Sequence, residues 1–515
     1  MKLNFVQNSK RNFIAKSINQ VFQLLFPFLN RTLFLWLLGP EYLGLNGLFA
    51  AVLGVLRLAE LGFGSAVGCS MFKLVARDDR EQICASLKFY RSLYHGVGIV
   101  IFVVGLCLLP FIPHLIHGDV PPDISIHVLY LIHLTNTAVG YFFFAYRGCI
   151  LTIHHRGDVI TNINTFVSIV QYITIALILI FTRNYYYYVI ATVFFTVISN
   201  LLLLFATRRL FPDIEPHGKP KRALRHRILA DARSVFLHKI GGVVLNFADN
   251  IVISYFLGLA AIAVYGNYNF IRLSVAGFVG IMATSIRAGI GNRIHTDTRE
   301  KNFVLFMKIY RLSMIGTVWS MAMMIALYQP FMRIWTKGDP ALMRHLLTPL
   351  LMASCFFVLQ ARQMLVVFKE AADIWRQDQW KPLCSACLNL GLNILFVIVF
   401  PEDYKLDGVI LSTVLAITFV EAPWETYVMF TRFFNTAQAR DYLKLQARFV
   451  LIAVLLSLVT WCGANAVPIE GVPGLLVKGF VAAIISGGIT LLFFFPDIKV
   501  FKETLLNRNK ETLSH

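Results

Sequence analysis

Charged side chains lie inside the apolar segments of this 515-residue chain. An Arg at the centre of a bilayer costs about 2.5–3.5 kcal/mol on insertion scales, so such residues usually face a protein interior or a water-filled cavity. Arg31 lies about two helical turns from the end of its segment, and Arg57 and Glu60 are spaced to share one helix face. Asp249 and Arg272 lie in a later pair of segments. We therefore expect these charged residues to carry the chemistry of the protein, such as ligand binding or proton transfer.

The arginines suit an anion that carries several oxygens. A guanidinium fork binds phosphate through two parallel N–H···O bonds, so a cluster of arginines at similar depth would hold a phosphate or a diphosphate. Arg31, Arg57 and Arg272 fall at similar depths in paired helices, which a common cavity would explain. Arg147 and Arg287 lie nearer the helix ends and join the predicted substrate-binding residues.

A purely structural role is also open for each of these charges. Some cations could reach lipid headgroups from near the helix ends. These are Arg147, Arg287, Arg362 and Lys239. Arg57 and Glu60 could form a buried pair that joins helices, and Glu421 with Glu425 could form a polar helix face.

Composition places these charges in a membrane protein. The chain is 57% hydrophobic and only 15% charged, whereas a soluble domain carries about a quarter of charged residues. Apolar runs of roughly 20 residues, long enough to span a bilayer, recur from end to end. We therefore predict an all-α polytopic membrane protein with about 14 transmembrane helices. The predicted spans are 13–38, 43–72, 89–116, 124–150, 159–182, 186–206, 233–257, 262–290, 303–328, 342–368, 380–400, 407–431, 446–467 and 473–495.

The loops orient these spans. Most of the 47 Lys and Arg residues fall on one side, while the opposite loops, such as "GPEY" and "HGDVPPD", are short and lean acidic. Lys and Arg concentrate in cytoplasmic loops, so both termini are predicted to be cytoplasmic. The net charge of +19 then reflects orientation and contact with anionic lipid, and nucleic-acid binding is not expected. Cys384 and Cys387 lie inside a predicted span, and no metal site is expected.

A weak internal repeat suggests two lobes. A shift of about 219 residues places "NRTLFLWLLGPEYLGLNGLF" over "DNIVISYFLGLAAIAVYGNY", and parallel repeats are related by an axis along the membrane normal. We predict two six-helix lobes, related by a pseudo-two-fold axis, plus two C-terminal helices. The predicted division is 1–206 for the N-lobe, 207–232 for a basic cytoplasmic linker, 233–432 for the C-lobe, and 433–515 for the last two helices and a cytoplasmic tail.

Several motifs resemble those of a known transporter family. "LGPEYLGLNGLF", "LAELGFGSAV" and "ARDDREQI", with the later "NFADNIVISYFLGLAAIAVYGNYNFI" and "AGIGN", resemble the Wzx-like O-antigen and capsular polysaccharide flippases of the multidrug/oligosaccharidyl-lipid/polysaccharide (MOP) exporter superfamily. The resemblance covers spans 1–3 and 7–8. It implies a flippase in the bacterial inner membrane. Such a flippase moves an undecaprenyl-diphosphate-linked glycan to the outer leaflet by alternating access, often coupled to a cation gradient.

From that resemblance we expect a coupling ion, H⁺ or Na⁺, and no other cofactor. The predicted ion-coupling residues are Glu60, Asp249 and Glu421. A polysaccharide polymerase and glycosyltransferases are expected as partners, beside membrane lipid.

Three alternatives remain open. A multidrug or small-metabolite exporter of the same superfamily would favour an acidic cavity over a cationic one. A membrane enzyme such as a polymerase would need a large outer loop, and the chain has no GxxxxGK[ST], HExxH or GxSxG motif, so enzymatic activity is not expected. A membrane scaffold that recruits partners without transport is the third.

Overall fold

The computed structural model describes residues 5–512, except 61–62, 119, 295–296 and 375. The described residues form helices joined by turns, and no β-strand occurs among them. Contacts divide the chain into two units, Met1–Ala263 and Val264–His515. The prediction of an all-α polytopic fold is confirmed, while the predicted lobe boundaries stay a prediction.

The first unit is built from nine helices in the described part of the chain. They are α1 (Phe5–Leu37), α2 (Pro40–Leu56), α3 (Phe63–Ala76), α4 (Arg80–Leu108), α5 (Ile126–Phe142), α6 (Gly148–Ile153), α7 (Gly157–Thr182), α8 (Tyr185–Leu210) and α9 (Arg222–Leu257). Helix α9 packs on α2 and α3. Gly54 allows α9 to approach α2, because a Cβ there would collide with the ring of Phe247, and Gly44 allows the start of α10 to approach, because a Cβ there would collide with the backbone of Leu259.

The second unit contains most of α10 and seven further helices among the described residues. They are α10 (Leu259–Arg293), α11 (Arg299–Trp335), α12 (Leu347–Ala371), α13 (Lys381–Val399), α14 (Lys405–Ala416), α15 (Ala422–Arg432), α16 (Ala439–Asn465) and α17 (Gly471–Thr512). Helix α11 packs against α12, α16 and α17, and α13 packs against α14.

The helices have the length and apolarity that a bilayer requires. Ten of the described helices qualify as spans, and an eleventh results if α5 and α6 form one span bent by 43°. Each span predicted from the sequence coincides with one helix or with a run of consecutive helices. The chain is therefore a multi-pass membrane protein.

Three of the predicted spans are interrupted. A 3₁₀ turn, Arg57–Glu60, follows α2, a π-helical turn, Ile417–Glu421, joins α14 to α15, and the break between α5 and α6 contains Phe144 in the left-handed region at φ 51°. Each break lies at or beside a predicted site charge. Irregular backbone at membrane depth persists only where protein or a water-filled cavity satisfies it, so these breaks mark positions shielded from lipid.

Candidate functional site

Arg31 is oriented by a backbone carbonyl of the first unit. Its Nη2 donates a hydrogen bond to the carbonyl oxygen of Ala263 over 3.3 Å, and the side chain is half-buried. The preceding Asn30 is buried and donates from Nδ2 to the carbonyl of Tyr172 on α7 at 3.3 Å. A carbonyl is a neutral acceptor, so this hydrogen bond orients the guanidinium without neutralising its charge.

Two tyrosine hydroxyls hold the carboxylate of Glu60. Tyr94 on α4 donates to Oε1 at 2.9 Å, and Tyr141 on α5 donates to Oε2 at 2.6 Å. The two rings lie 5.6 Å apart between centroids. Arg57, at the other end of the 3₁₀ turn, is exposed, and no ion pair joins it to Glu60 in the described structure. The alternative of a buried Arg57–Glu60 pair is therefore wrong.

Arg147 pairs with an acidic residue of the loop that follows α8. The side chain is only 2% exposed and forms an ion pair with Glu215, whose other carboxylate oxygen accepts from Nε of Arg208 at 3.2 Å. Such burial does not fit the alternative in which Arg147 reaches lipid headgroups. Its part in substrate binding stays a prediction.

The Glu215 contact predicts a pH dependence. Burial raises the pKa of Glu215, but the hydrogen bond and charge of Arg147, with the charge of Arg208, outweigh it and leave the pKa lowered. A lowered folded pKa means that the contact stabilises the protein above the unfolded pKa and is lost as the pH falls through the folded value. We expect Glu215→Gln to lower the Tm by about 1–2 °C at pH 7, and the difference to close as the pH falls below about 4.5.

Thermal unfolding of the purified protein between pH 3 and 7 checks this expectation. Glu81→Gln is the control, because Glu81 is exposed and no ion pair of the described residues includes it. A Tm difference between wild type and Glu215→Gln that stays constant across this range would contradict the assignment.

Asp249 and Arg272 lie in different units. Asp249 is buried in α9. Arg272 is half-buried in α10, and its Nε donates to Oδ1 of Asn269 at 2.9 Å. The Tyr328 hydroxyl of α11 donates to the carbonyl of Tyr268 at 2.5 Å, which fixes α10 one turn before Arg272. The Arg287 side chain, like that of Lys239, lies outside the described residues.

Glu421 lies in a charged cluster that the sequence did not predict as a unit. Arg362 of α12 donates from Nε to Oε2 of Glu425 at 2.8 Å and from Nη2 to Oε1 at 2.6 Å, which is a bidentate pair. Its Nη1 forms an ion pair with Glu421 at the end of the π-helical turn. Arg362 is therefore held between two carboxylates and does not extend to lipid headgroups.

The cluster continues through the segment between α12 and α13. Lys369 pairs with Asp378 and approaches Glu425 at 3.6 Å, while Lys381 pairs with Glu425 and with Asp378 at 3.3 Å. All four side chains are buried. With Arg362 and Glu421 they form a buried ion network, in which three cations face three carboxylates.

Sequence reasoning missed most of this network. Lys369 and Asp378 lie between the predicted spans 342–368 and 380–400, and Lys381 lies at the start of the second of these spans, so the sequence does not predict that the three meet in one buried cluster. Burial is tolerated here because each charge has an opposite partner.

The predicted charges thus have different surroundings. Arg31 lies against a carbonyl, Arg57 is exposed, Arg147 lies against Glu215 and Arg272 lies against Asn269. No group of three His, Cys, Asp or Glu residues that could hold a metal occurs in the part of the chain that the structure describes. A guanidinium group can bind an anion, and a carboxylate can take up a proton.

Comparisons with solved structures identify the fold. The lipid II flippase MurJ in an inward closed conformation is similar with a TM-score of 0.67 and 16% identity, over 94% of this chain and 99% of that one. An inward-facing multidrug resistance MATE transporter of the MOP superfamily gives 0.59 and 16%, over 81% and 98%. A MOP superfamily transporter from Pyrococcus furiosus, described as having a binding pocket of reverse polarity, gives 0.54 and 16%, over 82% and 96%.

Sequence comparison identifies the family. No curated protein sequence matches the chain. The model of the family described as "Polysaccharide biosynthesis protein" matches residues 9–286, more than half of the chain. At under 25% identity the structural likeness shows the fold alone, whereas the family match covers both the first six spans and the segments that hold Asp249 and Arg272. This multi-pass membrane protein, with the fold of MOP-superfamily transporters, belongs to the polysaccharide biosynthesis protein family.

Proposed function

We propose that this protein is a flippase that moves a polyprenyl-diphosphate-linked oligosaccharide from the cytoplasmic to the outer leaflet for surface polysaccharide synthesis. The observation that carries the proposal is the family match, because it spans the segments that contain Arg31, Arg57 and Arg272. The MOP fold adds support, since a lipid II flippase shares it over nearly the whole chain.

The arginines supply the charge that such a cargo needs. A diphosphate carries several anionic oxygens, and each guanidinium can bind two of them in one plane. The Ala263 carbonyl orients Arg31, and the Asn269 amide oxygen orients Arg272. Fixed donors lose less conformational freedom when the anion binds. The glycan would occupy a hydrated cavity and the polyprenyl chain would stay in lipid.

Ion coupling, location and partners belong to the same proposal. Coupling to H⁺ or Na⁺ would use Glu60, Asp249 or Glu421, of which Glu60 has two hydroxyl donors that can rearrange when the carboxylate is protonated. The protein would lie in the bacterial inner membrane with both termini in the cytoplasm. Glycosyltransferases would supply its cargo and a polymerase would receive it.

Reconstitution tests the proposal. The full chain is placed in liposomes with a fluorescent polyprenyl-diphosphate-oligosaccharide, and a membrane-impermeant lectin reports glycan that reaches the outer leaflet. We expect the half-time of appearance to fall at least tenfold relative to protein-free liposomes, and a polyprenyl glycan without the diphosphate to move more slowly. Equal half-times with and without protein would overturn the proposal, as would efflux of a cationic dye with no movement of the glycan lipid.

A further inference from the structure

A basic pocket lies between α11 and α16, outside the predicted substrate site. It encloses about 570 Å³, and four cations line it: Lys308, Arg311, Lys444 and Arg448. Lys308 and Arg311 are three residues apart on α11, and Lys444 and Arg448 are four apart on α16, so each pair occupies one face of its helix. One carboxylate, Asp441, also lines the pocket and leaves a net charge of +3.

A rigid aromatic layer holds the two basic pairs together. Tyr442 of α16 packs on Phe306 and Tyr310 of α11, with ring centroids 5.7 and 5.2 Å apart, and Phe449 packs on Tyr310 at 6.2 Å. All four rings are buried. Packing therefore sets the positions of the cations and keeps like charges close together. Their electrostatic repulsion is unfavourable, and a bound anion would relieve it.

Three of the four cations are available to a ligand. All four are exposed, and Lys308, Lys444 and Arg448 take part in no ion pair with any residue that the structure describes. The walls beside them are apolar and include Phe303, Met307 and Leu445. A ligand that fills this pocket needs a phosphate-like anion together with an apolar part.

The surface next to the pocket is suited to acyl chains. No charged residue follows Arg448 until Glu470, and the intervening part of α16 exposes large apolar side chains. These include Val450, Leu451, Val454, Leu455 and Leu458, each 44–61% exposed. The pocket thus lies where the apolar band of a membrane helix begins, on the side predicted to be cytoplasmic. Basic pockets between helices at that depth bind phospholipid headgroups.

We propose that this pocket binds the headgroup of an anionic phospholipid with a free hydroxyl, such as phosphatidylglycerol or cardiolipin. Lys308, Lys444 and Arg448 would bind the phosphate, the hydroxyl would donate to Asp441, and the acyl chains would lie along the exposed face of α16. The site is independent of the proposed glycan transport, because it uses none of the predicted substrate residues.

Native mass spectrometry of the full-length, delipidated protein tests the site. The probes are phosphatidylglycerol, phosphatidylcholine and polyprenyl diphosphate, each titrated separately. We expect phosphatidylglycerol to bind more tightly than the other two. Lys444→Gln with Arg448→Gln should weaken it about 30-fold, since each basic residue at a lipid surface contributes about 1 kcal/mol.

The control variant also removes two positive charges, again from the N-terminal parts of α11 and α16. Arg299→Gln with Arg440→Gln changes two exposed cations that do not line the pocket, and we expect less than a threefold effect. Lys308→Gln alone provides a milder pocket variant, expected to weaken binding about fivefold. Equal losses in the pocket and control double variants would overturn the proposal, and so would preferential binding of polyprenyl diphosphate, which would assign the pocket to the cargo.

Discussion

Replacing Arg31 with Ala is expected to reduce transport of the glycan lipid by at least tenfold while the protein still inserts into the membrane. A hydrogen bond to a charged group contributes about 1.5–3 kcal/mol, which corresponds to about a 10- to 150-fold effect. Arg31→Lys keeps the charge but loses the planar fork, so an intermediate rate is expected. Arg272→Ala should act like Arg31→Ala, and Asn269→Ala should cost less, because it removes only the acceptor that orients Arg272.

The liposome assay measures the rates, and detergent extraction with thermal unfolding measures insertion and folding. Arg209→Ala is the matched control, since Arg209 is exposed near the end of α8 and has no ion pair within the described structure. We expect wild-type transport in that variant. Normal transport in both Arg31→Ala and Arg272→Ala would contradict the role of guanidinium groups in binding the diphosphate.

The fold could be predicted from the sequence because lipid imposes a simple rule. A segment must be long enough and apolar enough to cross the bilayer, so the positions of the spans follow from local composition. The positions of the helix breaks are harder to predict from the sequence. Pro423 indicates a break near the π-helical turn. Its ring lacks an N–H and, in a regular α-helix, would clash with the carbonyl of Phe419. The 3₁₀ turn at Arg57–Glu60 contains no proline that would predict it. Tertiary hydrogen bonds from Tyr94 and Tyr141 accompany this turn instead.

The charges of the candidate site could be predicted one at a time, but their partners could not. The cost of burying a charge singles out Arg31 or Glu421 from sequence alone. The pairing of Arg362 with Glu425 joins residues 63 positions apart and depends on how α12 packs against α15. For the same reason, the predicted spans leave Lys369 just beyond the end of span 342–368, although the fold buries it against Asp378.

Glu425→Ala is expected to destabilise the second unit by about 3–5 kcal/mol, because it removes one partner of a buried network and leaves opposite charges uncompensated. Glu425 is fully buried and contacts Arg362, Lys369 and Lys381. The expected result is a marked fall in Tm and in the yield of folded protein. Glu402→Ala is the control, since Glu402 is 79% exposed and pairs with Lys405 at the surface, where an ion pair contributes about 0–1 kcal/mol.

A second variant separates the loss of the network from the loss of packing. Glu425→Leu with Lys381→Met replaces an opposite pair by apolar side chains of similar length, so the remaining two cations and two carboxylates stay balanced. Replacing both members of a buried pair costs less than removing one, so the double variant should unfold at a higher temperature than either Glu425→Leu or Lys381→Met alone.

If the two single effects simply add, the charges are not coupled and the stability of this region rests on its aromatic and aliphatic packing. If the double variant is stable but inactive in transport, the network has a part in the transport cycle as well as in folding, and Glu421, which shares Arg362 with Glu425, becomes the next residue to replace.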